Sequence, residues 1–192
     1  QSDTLIIKKH FDEILSFGYR TYDNIGALDK SANYIKSIFE QYADTSYFQT
    51  YQADGRTYKN VICSFGTENL ERLIIGAHYD TCGEQDGADD NASGTAGLIE
   101  LARFFSNDST YNSANILFVA FSGEERGLLG SKYFVNNMML SPKSISYMLN
   151  MDMIGRLEDR QLAVSGVGTS SKCTEYLDYA CCNLQLKLSE SG

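Results

Sequence analysis

The 192-residue sequence has no tryptophan, one proline and only two histidines, His10 and His78. Positive charge is also short: 16 Lys+Arg against 25 Asp+Glu give a formal net charge of −9. That balance argues against nucleic acid or an anionic membrane surface as the main partner. The longest clean apolar run, Ile116–Phe121, is far too short for a membrane span. The five cysteines (Cys63, Cys82, Cys173, Cys181 and Cys182) are too few and too irregular for a disulfide scaffold. No Cys-x-x-Cys pair occurs, which excludes a zinc ribbon or a thioredoxin motif, and most of the thiols are expected to be small buried hydrophobes. Two histidines look like a poor start for a metal enzyme.

What is present reads as a soluble globular chain, 43% hydrophobic and 21% charged. Its length suits one domain, or most of a somewhat larger one. Gln1-Ser2-Asp3-Thr4 carries neither a basic stretch nor an apolar signal core, and there is no initiator Met. The expectation is a mature form after signal removal, secreted or periplasmic, or a trimmed form.

Helical periodicity marks Thr4–Leu15 and, more sharply, Ala27–Tyr42, with Leu28, Ala32, Ile35, Ile38 and Phe39 on one face. Ser46–Phe65 is rich in Tyr, Phe, Thr and Val and is broken at Ala53-Asp54-Gly55-Arg56, where Asp-Gly predicts a hairpin. Leu73–Ala77 and Ile116–Phe121 are continuous apolar runs, as in strands covered on both faces. Ser144–Met151 is a weaker third strand. Helices are expected at Ser93–Phe105, Leu128–Asn136 and Ser171–Cys182, and a surface loop at Ser106–Ser113 containing the formal sequon Asn107-Asp108-Ser109. The pattern predicts an α/β three-layer sandwich, a mostly parallel central β-sheet flanked by helices, in a single domain over 1–192.

In such sheets ligands bind beyond the carboxyl ends of the strands. Three apolar runs end there in His78-Tyr79-Asp80, in Ser122-Gly123-Glu124-Glu125 and in Asn150-Met151-Asp152. A metal-binding imidazole usually donates its other N–H to a carboxylate, and Asp80 is placed to accept it from His78. Asp80, Glu84, Asp86, Asp89 and Asp90 crowd eleven residues beside His78. Some of them cap the following helix; a bound cation would relieve the repulsion among the rest. Of the adjacent pair, one of Glu124 and Glu125 can bind metal while the other serves as general base. Each signal taken singly has a plain alternative: a strand-end ion pair, a helix cap, or two solvated acids in a turn. Their convergence on one rim is what carries weight.

His78-Tyr79-Asp80, Gly87-Ala88-Asp89-Asp90-Asn91-Ala92-Ser93-Gly94, Gly123-Glu124-Glu125-Arg126-Gly127-Leu128-Leu129-Gly130-Ser131 and Asn150-Met151-Asp152-Met153 resemble the di-zinc aminopeptidases of the bacterial leucyl aminopeptidase and aminopeptidase Y type. The resemblance runs in order from about Ala27 to Asp152. It implies two Zn²⁺, with His78 and Asp152 on one, Glu125 on the other and Asp90 bridging. It also implies Glu124 as general base, Asp80 behind His78, and a peptide with a free N-terminus as substrate. The family's fifth ligand, a His in a Ser-Asp-His segment downstream, has no counterpart before Gly192. His10 lies ahead of the whole sheet and is not expected to substitute, so the chain is expected to lack its C-terminal part. Two rivals remain: a glutaminyl cyclase, which uses one zinc on the same fold, and a metal-deficient peptidase-like binding module. Cys82 is expected to pack in its loop or to pair. The sequence carries no signature of oligomeric state or side-chain preference.

Overall fold

A computed structural model describes residues 2–66, 71–107, 115–138, 144–182, 184 and 187–191. The chain forms two compact units, Gln1–Gly155 and Arg156–Gly192. In the first, helices α1 (Thr4–Ser16) and α2 (Ile25–Tyr42) precede strands β1 (Thr45–Ala53), β2 (Arg56–Phe65) and β3 (Arg72–His78). An irregular helical turn, Ala88–Ser93, leads into α3 (Gly94–Asn107); β4 (Ile116–Phe121), α4 (Leu129–Asn136) and β5 (Ile145–Asn150) follow.

The five strands form one sheet in the order β1-β2-β4-β3-β5. Strand β3 runs parallel to both β4 and β5, whereas the β1–β2 and β2–β4 pairings are antiparallel. The sheet is therefore mixed, its antiparallel half coming from the hairpin that Asp54-Gly55 marks. Both turn residues have positive φ, 48° and 73°, as a two-residue hairpin turn requires, and Ala53 pairs with Arg56. Residues 108–113 of the expected surface loop, which include the last two residues of the sequon, lie outside the described residues.

The continuous apolar runs exist because β2, β3 and β4 are covered on both faces. Along β4, Ile116, Phe118 and Ala120 join a cluster with Ile14 of α1, Leu28, Ile35 and Phe39 of α2 and Leu98 and Ile99 of α3. The alternate residues Leu117, Val119 and Phe121 pack on the other face with Ile62, Ile74 and Phe134 of α4. Each such Ile, Leu or Phe contributes about 1.5–3 kcal/mol by leaving water. Helix α2 starts two residues before its apolar pattern because Asn24 caps it, accepting from the Ala27 N–H. Asp3 does the same for α1, through the Leu5 and Ile6 N–H groups.

The second unit holds β6 (Gln161–Ser165) and β7 (Lys187–Ser191), paired in parallel, with α5 (Cys173–Cys182) between them in sequence. The helix matches the expected Ser171–Cys182; the two five-residue strands were not foreseen.

Candidate active site

The three parallel strands deliver their side chains to one edge. His78 closes β3, Glu124 and Glu125 follow β4, and Asp152 follows β5. The His78 ring is 2% exposed. Its Nε2 lies 3.2 Å from Asp90 Oδ1 and 3.5 Å from Asp152 Oδ1, and its Nδ1 lies 3.6 Å from Asp80 Oδ1. None of these contacts is a hydrogen bond, so both ring nitrogens are buried without a partner, as is Glu125 Oε1. Two sets of potential ligand atoms fall within 4.8 Å of one another: His78 with Asp90 and Asp152, and His78 with Glu124 and Glu125. All six residues singled out in the sequence are thus brought together, five in these sets and Asp80 directly behind His78.

The electrostatics follow from burying acids around an imidazole. Burial pulls the His78 pKa down, but Asp80, Asp152 and Glu124 outweigh it and hold it up at about 9. Glu124 is pushed up by burial and by Asp80, Asp152 and Asp90, with His78 opposing. Glu125 is pushed up by burial, then by Asp90. Without a cation, these groups compete to stay protonated. Imidazole and carboxylate are the donor types zinc takes, and a divalent ion would displace the His78 proton.

The rim is held by Asp80, in a backbone role the sequence did not foresee, and by residues to which the sequence assigned none. Asp80, fully buried, accepts from the Glu124 N–H on one oxygen and the Glu125 N–H on the other, each at 3.1 Å. Arg20, also fully buried, donates from Nε to the Tyr79 carbonyl at 2.9 Å. Its terminal nitrogens reach the carbonyls of Asp86 at 3.0 Å and Gly87 at 3.1 Å. It fixes the loop between His78 and Asp90 at both ends. Gly87 within that loop has φ +58°, and a Cβ there would stand 2.1 Å from Thr81 Cγ2 and 2.6 Å from the Asp90 carbonyl. Asn60 receives the Ser122 N–H and donates to the Gly130 carbonyl, bracketing the segment that carries both glutamates.

A second set of contacts ties the Asp90 loop to the Asp152 segment. Asn91 Nδ2 donates to the Met151 carbonyl, and its Oδ1 accepts from Met153 N–H. Ser93 Oγ accepts from Ile154 N–H, and Asp89 Oδ1 from Gly155 N–H at 2.9 Å. Asp89 and Ser93 therefore act as clamps. Only their proximity to Asp90 in sequence could have hinted at this.

His10 packs between helices instead, with Nδ1 2.7 Å from Tyr34 Oη, and belongs to neither ligand set. Cys63, Cys173 and Cys181 are buried as expected. Cys82 is not packed in its loop or paired: it is a free, exposed thiol whose proton affinity Glu125 raises. The Cys182 side chain lies outside the described residues.

An α/β domain with a carboxylate-rich imidazole centre at the carboxyl edge of its sheet is the class these features define. Residues 60–190 match peptidase family M28, and the chain belongs to that family. It is 32% identical over 156 residues to leupeptin-inactivating enzyme 1 of Streptomyces exfoliatus, covering 78% of this chain and 35% of that protein. It is 36% identical over 106 residues to aminopeptidase YwaD of Bacillus subtilis, covering 52% of this chain and 22% of that one. The chain thus spans less than half the length of the curated relatives it matches. Among solved structures, a Zn-dependent exopeptidase from Parabacteroides distasonis superposes with a TM-score of 0.84 at 20% identity, covering 100% of this chain and 77% of that one. A glutaminyl cyclase from Bacteroides thetaiotaomicron does so with a TM-score of 0.84 at 19% identity, covering 100% and 78%. At such identities the likeness is one of fold.

Proposed function

We propose that this chain carries the catalytic rim of a zinc-dependent aminopeptidase, which releases the first residue of a peptide by hydrolysis. The observation that carries the reading is the buried His78 ring, its two nitrogens unbonded and faced by Asp80, Asp90 and Asp152. Membership of peptidase family M28 and the likeness to an aminopeptidase support it.

In this reading His78, Asp152 and Glu125 would hold the zinc ions, His78 with Asp152 and Glu125 apart from them, and Asp90 would serve as a shared ligand. The orphaned nitrogen and carboxylate atoms fit that role. When bound, the ions polarise the scissile carbonyl and offset the negative charge that develops on it. Asp80, with its charge 3.6 Å from His78 Nδ1, favours the tautomer protonated on that side and, through the Glu124 and Glu125 amides, sets the acidic pair against the ring. Glu124, with its raised pKa, accepts the proton of the attacking water and passes it to the leaving amine. Five carboxylates (Asp80, Asp90, Glu124, Glu125 and Asp152) against two divalent ions would leave the rim net negative, which favours the substrate's α-ammonium group.

Glu124→Gln tests the assignment. With zinc content retained, kcat should fall about 10²–10⁴-fold, the usual contribution of a general base. Near-normal turnover refutes Glu124 as that base. The cyclase has the same fold, but Asp90-Asn91-Ala92-Ser93-Gly94 and Gly127-Leu128-Leu129-Gly130-Ser131 favour the peptidase. A glutaminyl peptide assayed alongside an aminoacyl anilide separates the two: cyclisation without release of other residues would reverse the choice.

A further inference from the structure

Arg20, in the segment between α1 and α2, is a cation with no exposure to solvent. Burial pulls its pKa down to about 10, with Asp80 and Asp86 opposing, so it stays charged at neutral pH. Taking such a charge out of water costs several kcal/mol unless polar groups replace the water. Among the described residues no carboxylate pairs with it. Backbone carbonyls from separate stretches of the chain solvate it instead. Nη1 reaches those of Ile14 at 3.5 Å and Gly18 at 3.2 Å, at the end of α1, and that of Asp86 at 3.0 Å. Nε donates to Tyr79, directly after His78, and Nη2 to Gly87, three residues before Asp90.

From Tyr79 to Gly87 the chain has neither helix nor strand, and Cys82–Asp86 are exposed. The turn bearing Asp90 is held on its far side by Thr95 Oγ1, which donates to the His78 carbonyl, and by the contacts to Met151–Gly155. On its near side the guanidinium makes the join, because its planar fork spans the Tyr79 and Gly87 carbonyls at a fixed spacing. The Gly87 carbonyl also accepts the Ala92 N–H across the turn, and the carbonyl of Arg20 itself accepts the Thr81 N–H. A Cβ on Gly87 would lie 2.9 Å from Nη2, so the two pack without slack. Resting on the zinc reading of the rim, we propose that Arg20 is a positioning residue of the metal centre, which sets Asp90 against His78 before an ion arrives. It acts through the Tyr79 and Gly87 carbonyls and touches no candidate ligand atom. A lysine would keep the charge but present a single nitrogen, which cannot hold both carbonyls.

The test titrates zinc into the metal-free chain, wild type against Arg20→Lys. The zinc dissociation constant should rise by about 10–100-fold in the variant, the usual effect of removing a support behind the ligands. At a fixed zinc concentration, the gain in denaturant midpoint on adding zinc should shrink accordingly. A merely structural arginine would lower the midpoints with and without zinc alike and leave that gain unchanged. Tyr34→Phe, a destabilised variant remote from the rim, should keep the full gain. If Arg20→Lys does not fold, the wild-type chain still decides by amide exchange. Without zinc, the Thr81 and Ala92 amides should already be protected, because the guanidinium holds the loop. Protection that appears only with zinc overturns the proposal, and so does equal zinc affinity in the two proteins. Either result leaves the zinc reading intact, whereas a wild-type chain that takes up no zinc sinks that reading and the role of Arg20 with it.

Discussion

The helix layer of α1, α2 and α3 and the rim of the sheet each bury one histidine, at 4% and 2% exposure. Burial therefore does not separate them; their partners do. His10 has a phenol at 2.7 Å, and burial, helped by Lys9, lowers its pKa and keeps it neutral. His78 has three carboxylates around it, no hydrogen bond to either nitrogen, and a pKa held up at about 9. A satisfied imidazole serves packing; an unsatisfied one among acids is, in the proposed reading, a ligand for a cation.

The largest effect should come from exchanging the fates of these two rings. His78→Ala is expected to remove the zinc ion assigned to His78 and Asp152 and lower kcat/KM by about a thousandfold or more, the equivalent of the several kcal/mol a bound cation supplies. His10→Ala should keep both zinc and activity. Equal zinc loss in the two variants, measured by metal analysis of folded protein, would erase the distinction.

A smaller effect separates the rings by the sign of their pH dependence. His78 has its folded pKa above the ordinary value of 6.5, so its stabilisation is complete below 6.5 and is lost as pH rises through about 9. That contribution is on the order of 2–3 kcal/mol in the metal-free chain. His10 has a lowered pKa, so its stabilisation holds above 6.5 and is lost as pH falls through its folded pKa. Denaturant melts of the metal-free chain should show the alkaline loss in native protein but not in His78→Gln. The acid loss should weaken in His10→Gln. Saturating zinc should erase the alkaline loss, because zinc takes the neutral imidazole. The smallest effect is Tyr34→Phe, which strands His10 Nδ1 and should cost about 1–3 kcal/mol in stability with no change in zinc content. A change in zinc content there would tie the helix pair to the rim and undo the contrast.

Much of this contrast was legible in the sequence. His78, Asp80, Glu124 and Glu125 follow two continuous apolar runs that read as buried strands, Asp152 follows a weaker and largely exposed third strand, Asp90 stands in the loop before α3, and Asp54-Gly55 announced its hairpin. Period and turn chemistry are local, so they survive without coordinates. Arg20, Asn60, Asn91 and Ser93 were not legible as rim supports, because their bonds run to backbone 59 to 70 residues away. A side chain bonding distant carbonyls or amides leaves no periodic trace. β6 was missed because five residues alternating between exposed and half-buried carry too weak a pattern. Cys82 was misjudged because its loop is open on one side, into the cavity beside Glu125.

The clamp of Asp89, Asn91 and Ser93 on Met151–Gly155 replaces a strand pairing with four side-chain bonds. Asp90 and Asp152, 62 positions apart, therefore stand on what is mechanically a single piece. The clamp adds to the bonds that Met151 N–H and Thr95 Oγ1 make to the Gly76 and His78 carbonyls of β3, and a shift of one carboxylate carries the other along. A substitution at Asn91, which touches no candidate ligand atom, would loosen both carboxylates together, so His78 would face two wandering acids instead of a fixed pair.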